Sequence, residues 1–361
     1  MDRRNFLRAG ALAGAAATLP RPAAGAGIPL APWRGAGTAE DPLRLNANEN
    51  PLGISPRARE AARDAFTVAN RYTDHWARPF HKQLARHLGV IPDQLFLGNG
   101  STEVLQMAVQ ALCGDGARIV TADPTFEALD SRYAHDLTLM RDEAARAPGP
   151  VIVYLCNPNN PTGTLTPLDE ISAWIREADP KVFFVIDEAY FELVEAPGHA
   201  SFLSWTRDYP NLLVVRTFSK IYGMAGLRMG YGIAHPETVA RIVPWMANNN
   251  TNQIAIAAAA ASLDDQEHVT RSLETNRASR TLVLDTLEEL GFQALPSHTN
   301  FVMHEIGMNV GAYQRLFREA GIAVGRAFPP MLQHNRVSLG TPQEMARWAE
   351  RLRELRRQGR V

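Results

Sequence analysis

A lysine eight residues ahead of an arginine, with two hydroxyls just before it, is the arrangement in this chain with the plainest chemical use. The stretch runs Thr217-Phe218-Ser219-Lys220-Ile221-Tyr222-Gly223-Met224-Ala225-Gly226-Leu227-Arg228. It follows the apolar run Leu212-Leu213-Val214-Val215, which reads as a buried strand ending where the hydroxyls begin. Lys220 there is a candidate amine nucleophile. Arg228 adds a permanent cation, and Thr217 and Ser219 add hydroxyl donors. An amine beside a hydroxyl-and-guanidinium cradle is what pyridoxal phosphate requires: its aldehyde condenses with a lysine and its phosphate must be gripped nearby. Solvated loop charges would give the same spacing by chance. The other motifs have to decide.

Val182-Phe183-Phe184-Val185-Ile186-Asp187-Glu188-Ala189-Tyr190 ends a buried strand with a carboxylate. A buried aspartate needs a partner, and a protonated pyridinium nitrogen is an apt one. Tyr190 then lies near enough to hydrogen-bond the ring's phenolic oxygen. The plainer use of Asp187 is as a helix N-cap. In Cys156-Asn157-Pro158-Asn159-Asn160-Pro161-Thr162-Gly163 two X-Pro steps and a glycine fix an extended turn. That turn places an asparagine amide where it can donate to a ring oxygen. Gly98-Asn99-Gly100-Ser101-Thr102-Glu103 joins a strand to a helix, so the backbone N–H groups of Ser101 and Thr102 form an anion site. Ser101 as an ordinary N-cap is the alternative. Phe126, in Pro124-Thr125-Phe126, either stacks on a flat ring or belongs to the core.

The elements that must position these groups are short apolar runs alternating with helical patterns. The runs are Leu95–Leu97, Arg118–Thr121, Leu137–Met140, Val151–Cys156, Val182–Ile186, Leu212–Val215 and Met229–Ile233. The alternation predicts an α/β fold with a sheet sandwiched by helices, whose ligands gather at the carboxyl ends of the strands. From about Asn252 the texture changes. A helical pattern over Gln253 to Leu290, broken near Asp264-Asp265, leads into short strands near Phe292–Leu295, Asn300–His304, Ile322–Val324 and Arg336–Leu339, with helices over Val310–Ala320 and Pro342–Arg356. The expected layout is a large domain over 46–251 and a smaller α/β domain over 252–361, preceded by a Pro/Gly-rich arm over 27–45.

The 361 residues carry 37 basic and 38 acidic side chains. That balance argues against nucleic acid or an anionic membrane surface as the main partner. Cys113 and Cys156 lack metal-ligand spacing and read as free thiols. Residues 1–26 differ from the rest: Arg3 and Arg4, a short Ala/Gly-rich apolar run, and a terminal Ala24-Gly25-Ala26. They read as a twin-arginine signal peptide with a cleavage site, too short and alanine-rich to be a stable membrane anchor. A disordered basic extension is the alternative. Export of an already folded protein into the periplasm suits one that acquires a cofactor in the cytoplasm.

Asn46-Ala47-Asn48-Glu49-Asn50-Pro51, the Gly-Asn-Gly-Ser-Thr-Glu turn, Asn-Pro-Asn-Asn-Pro-Thr-Gly, Asp-Glu-Ala-Tyr and Ser-Lys-x7-Arg occur in that order. Over nearly all of the mature chain the sequence resembles the fold-type-I PLP-dependent aminotransferases of class I/II, and within them the histidinol-phosphate aminotransferases. The resemblance implies a large domain built on a mostly parallel seven-stranded sheet. It also implies catalytic roles for Lys220, Asp187 and Tyr190. Asp187 would pair with the ring nitrogen, Asn160 and Tyr190 would bond the phenolic oxygen, and Phe126 would stack on the ring. Ser101, Thr102, Thr217, Ser219 and Arg228 would hold the phosphate, joined by Tyr72 from the neighbouring subunit of a homodimer. Arg336, in Asn335-Arg336-Val337-Ser338-Leu339-Gly340-Thr341, matches the segment whose arginine binds the substrate's acidic group, with Asn48 lining the same pocket. Gly325-Arg326-Ala327-Phe328 departs from the family's usual Val-Arg, leaving open whether Arg326 serves as a second basic residue. The implied reaction is ping-pong transamination between a small-molecule amino donor and a 2-keto acid, with histidinol phosphate and 2-oxoglutarate as the favoured pair and no metal. Three other readings stand beside it: an aromatic or general amino-acid aminotransferase outside the cytoplasm, a PLP decarboxylase or lyase of the same fold, and a non-catalytic PLP-binding module.

Overall fold

A computed structural model describes residues 35, 37–113, 117–125 and 136–361. The expected signal segment 1–26 and Phe126 lie outside the described residues. The strands are β1 (Leu43–Leu45), β2 (Leu95–Gly98), β3 (Arg118–Thr121), β4 (Val151–Cys156), β5 (Val182–Asp187), β6 (Leu212–Thr217), β7 (Gly230–Ala234), β8 (Phe301–Glu305), β9 (Ile322–Val324) and β10 (His334–Ser338). The helices are α1 (Pro56–Ala65), α2 (Asp74–Leu88), α3 (Ser101–Leu112), α4 (Leu137–Arg146), α5 (Leu168–Glu177), α6 (Pro236–Ile242), α7 (Gln253–Leu263), α8 (Gln266–Glu289), α9 (Val310–Glu319) and α10 (Pro342–Arg357).

Among the described residues six strands form the central sheet, in the order β2-β7-β6-β5-β4-β3. β3 through β6 are parallel neighbours, and β7 runs antiparallel to both β6 and β2. Alternate residues of one strand face opposite cores, as the period of two demands. In β4, Val151, Val153 and Leu155 join one buried cluster, while Ile152, Tyr154 and Cys156 join the other. α2, α4, α5 and α7 pack on the first face, and α3 with α6 on the second. Both faces are therefore covered, which is why these strands read as unbroken apolar runs. Each apolar side chain fully removed from water stabilises the sheet by about 1.5–3 kcal/mol.

One expected strand is a helix. Seven strands were expected in the large sheet, and Leu137–Met140 is instead the first turn of α4. The Asp136 carboxylate accepts from the Thr138 and Leu139 N–H groups at 2.9 and 3.1 Å. Leu137, Met140 and Ala144 then recur at helical spacing and bury one stripe. Phe292–Leu295 likewise makes only an isolated bridge, Ala294 to His304.

A second apolar core is built from α8, α9 and α10 around two strand pairs. β10 lies antiparallel to β8, and β1 lies parallel to β9. Leu43 and Leu45 are thus part of this core although the sequence placed them in an arm, and α7 packs in the first core although it follows residue 252. α7 is apolar all round and alanine-rich, which lets α1 and α2 approach it closely.

Candidate active site

The carboxyl ends of β2, β4, β5 and β6 lie side by side along one edge of the sheet. Because β7 is antiparallel, its first residue, Gly230, stands opposite both Gly98 and Thr217. Arg228 is thereby delivered to the same edge. A cavity of about 130 Å³ opens there. Ser101, Thr102, Asn160, Asp187 and Tyr190 line it, together with Thr217, Ser219, Lys220 and Arg228. Nine of the residues expected at the site therefore share one wall.

α3 begins at this cavity. Its N-cap is Gly100 rather than Ser101, and no side chain caps its first turn. The N–H groups of that turn are available to an anion. Gly100 has φ +76°, and a Cβ there would come within 2.3 Å of Arg228 Nη2. The missing methyl is what lets the guanidinium lie against the turn. A Cβ on Gly230 would meet the Ser101 backbone nitrogen at 2.3 Å, so the strand and the helix start touch through bare backbone. Arg228 itself has φ +60° and donates from Nη1 to the Ala225 carbonyl at 2.9 Å. The Thr217 hydroxyl donates to Ser219 Oγ at 2.8 Å and accepts from the Ser219 N–H at 3.1 Å.

Asp187 is only 2% exposed. Burial pushes its carboxyl up to about 6, against the opposing pull of the Tyr154 hydroxyl, the Ala189 N–H and the Lys220 charge. Tyr154 donates to Oδ2 at 2.8 Å, and the Ala189 N–H to Oδ1 at 3.0 Å. A carboxylate so placed is still short of a full counter-charge, and a cation seated in the cavity would supply it. Lys220 Nζ lies 5.4 Å from the centre of the Tyr190 ring.

Arg336 and Asn48 stand one hydrogen bond behind the cavity wall. Arg336 Nη1 donates to Asn160 Oδ1 at 2.6 Å, and Nη2 to the Asn46 carbonyl at 3.1 Å. Asn48 Nδ2 donates to the Tyr190 hydroxyl at 3.1 Å. Arg326 is exposed and does not line the cavity. Its guanidinium sits 4.1 Å from the centre of the Phe328 ring, a ring that Arg336 also approaches at 4.6 Å. Tyr72 is 78% exposed and stays outside the cavity of its own chain.

Sequence reasoning passed over two supports. Tyr154 looks like one more apolar strand residue. Alternation along β4 and β5, with Cys156 opposite Asp187, would have put it on the same face as that carboxylate. The second is the ion pair of Glu188 with Arg216, both nearly inaccessible, at 2.8 Å. Glu188 also accepts from the Ser201 hydroxyl at 2.7 Å and the Phe202 N–H at 2.9 Å. Glu188 follows Asp187 and Arg216 precedes Thr217, so the pair fastens together the two strand ends that carry the site.

An amine, a buried carboxylate, a guanidinium and an uncapped helix start suit an anionic, cationic-ringed aldehyde cofactor, and comparisons with known proteins agree. The sequence profile described as "Aminotransferase class I and II" matches residues 40–352, and that of the twin-arginine translocation signal matches residues 1–20. The chain is 35% identical over 329 residues to the histidinol-phosphate aminotransferase of Symbiobacterium thermophilum, covering 87% of this chain and 90% of that protein. It is 38% identical over 327 residues to histidinol-phosphate aminotransferase 2 of Ralstonia nicotianae, covering 84% and 86%. The crystal structure of the Sinorhizobium meliloti histidinol-phosphate aminotransferase in complex with pyridoxal-5′-phosphate superposes with a TM-score of 0.80 at 30% identity, covering 87% and 91%. With strand order, site and profile in agreement over most of its length, this chain belongs to the class I and II aminotransferases.

Proposed function

We propose that the protein is a pyridoxal-phosphate-dependent aminotransferase that moves an amino group from an amino donor to a 2-keto acid in ping-pong order, with histidinol phosphate and 2-oxoglutarate as its pair. The observation that carries the reading is the meeting of Lys220, Asp187 and Arg228 with the open start of α3 at a single cavity. The bound cofactor supplies a protonated ring that draws electrons from the substrate's α-carbon. Asp187 holds the proton on that ring's nitrogen in place by its charge. Lys220 would anchor the cofactor through its amine and, as a free amine, would shuttle the proton between the substrate's α-carbon and the cofactor's aldehyde carbon. Ser101, Thr102, Thr217, Ser219 and Arg228 grip the phosphate. Asn160 and Tyr190 would bond the ring's phenolic oxygen, and Phe126, outside the described residues, is the residue the family resemblance assigns to stack on the ring.

Arg336 takes the substrate's acid group, as a guanidinium fork suits a carboxylate or a phosphate. Asn48 stands behind the same wall, and Arg326, off the cavity, shares the Phe328 ring with Arg336. The exposure of Tyr72 fits a homodimer in which Tyr72 of the partner subunit completes the phosphate grip. Among the described residues no helix is long and apolar enough to cross a membrane, and the signal match supports export to the periplasm. That export favours a second reading, an aminotransferase for aromatic or other amino acids outside the cytoplasm.

The test is a transamination screen with 2-oxoglutarate as acceptor and histidinol phosphate or aromatic amino acids as donors. Turnover of histidinol phosphate at least ten-fold above the others bears out the first reading, and the reverse order the second. Carbon dioxide release without a keto acid would replace both with a decarboxylase.

A further inference from the structure

The hydrogen bonds behind Tyr190 have a definite direction, and that direction reaches the cavity. Asn48 is 2% exposed and Ser338, on β10, is 3% exposed. The Asn48 backbone N–H donates to Ser338 Oγ at 2.9 Å. A backbone nitrogen can only donate, so the serine oxygen accepts here and its single hydrogen is left to give elsewhere. It goes to Asn48 Oδ1, also at 2.9 Å. With the carbonyl end of the amide engaged, the amino end faces the other way and donates from Nδ2 to the Tyr190 hydroxyl at 3.1 Å. The phenol oxygen therefore accepts from behind, and its own hydrogen is the one that can be donated into the cavity. Reversing the Asn48 amide would reverse Tyr190, making it give its hydrogen to Asn48 instead.

Asn48 is further held in this pose by its backbone. Its φ is +55°, a conformation asparagine tolerates better than most residues, and its carbonyl accepts from Asn300 Nδ2 at 2.9 Å. Ser338 sits in β10, whose register against β8 pairs it with Phe301, and the Phe301 ring meets the Tyr190 ring edge-on at 5.4 Å. The β8–β10 pair thus fixes both the plane of the tyrosine, through Phe301, and the polarity of its hydroxyl, through Ser338.

We propose that Ser338 and Asn48 are positioning residues that set the direction of the Tyr190 hydroxyl, making it a donor to the ring oxygen of the bound cofactor. This rests on the reading above that Tyr190 faces that oxygen. It gives Asn48 a task beyond lining the substrate pocket, and gives Ser338 one that no motif suggested.

The experiment is a pH titration of the visible absorbance of the purified, cofactor-loaded enzyme without substrate, beside measurement of cofactor affinity for the apoprotein. A donor to the ring oxygen stabilises the form from which the neighbouring proton has left, so losing it raises the absorbance midpoint. Tyr190→Phe should raise it by about one pH unit, the worth of one hydrogen bond. Ser338→Ala and Asn48→Gly should each raise it in the same direction, and glycine takes the positive φ without strain. Ser338→Thr, which keeps the hydroxyl, should restore the wild-type midpoint. Cofactor dissociation constants should rise about three- to ten-fold in the three shifted variants. In the Tyr190→Phe background, Ser338→Ala should add no further shift. An unshifted Tyr190→Phe would overturn both the placement of Tyr190 and the proposal. A shifted Tyr190→Phe beside unshifted Ser338→Ala and Asn48→Gly would overturn the proposal alone, as would an additive double variant.

Discussion

Burial pushes the Asp187 carboxyl up to about 6 in the fold against 3.8 for an unperturbed side chain, outweighing the Lys220 charge that pulls it down. The folded value lies above the unfolded one, so this group's stabilising share is fully present below about pH 3.8 and is lost as the pH rises through 6. Asp187→Asn cannot ionise and escapes the loss. Its apoprotein should melt no lower than wild type at pH 7.5, by a margin of up to about 3 kcal/mol, while transamination falls by at least about 10²-fold. Calorimetry of the apoproteins beside a rate assay checks both halves, and a less stable, fully active variant would contradict them. Arg336→Ala should raise KM for an acidic substrate by about ten-fold or more with a smaller effect on cofactor content, since its guanidinium reaches the site through Asn160. Steady-state kinetics with absorbance measured on the same samples separates the two effects. At this scale Lys220, Asp187 and Arg228 were legible in the sequence, because they sit in several motifs that occur together and in order. Tyr154 and Ser338 were not, because a hydroxyl inside a strand carries no mark of its partner until register is known.

The elements were legible where burial was two-sided. β4, β5 and β6 appear as apolar runs because helices cover both faces of the sheet. Leu137–Met140 misled for the same reason: four residues of a helix stripe and of a strand look alike until the capping Asp136 and the next turn at Ala144 are counted. Where α3 meets β7, the contact is backbone on backbone at Gly230. Gly230→Ala puts a methyl 2.3 Å from the Ser101 nitrogen, and the atoms it meets are backbone, which cannot turn aside. The variant should lose about 1–3 kcal/mol of stability and bind the cofactor more weakly, because the helix start proposed to hold the phosphate is pushed away. Thermal unfolding with and without added cofactor reads both, and an unchanged melting temperature in both conditions would show that the contact yields easily.

At the scale of the whole molecule, the site depends on pieces far apart in sequence, and the proposed homodimer adds one from a second chain. If Tyr72 of the partner subunit completes each site, neither Lys220→Ala nor Tyr72→Ala homodimers have an intact one, while a mixed dimer has one. Mixing the two inactive or weakened variants under exchanging conditions should then restore activity toward a quarter of wild type, the share of intact sites after random re-pairing. Failure of mixed dimers to exceed the average of their parents would place Tyr72 outside the site.

The pairing of β1 with β9 bears on timing. Leu43 is hydrogen-bonded alongside Ile322, so the residues that follow the export signal have no strand partner until nearly the whole chain has left the ribosome. β1 is among the last strands to find a partner, and its closure requires the chain to be made through Val324. Brief protease treatment should cut near residues 43–45 in chains that stop before Ile322 and spare the same bonds in the full-length protein. Equal cleavage in both would mean that β1 is held by something other than β9.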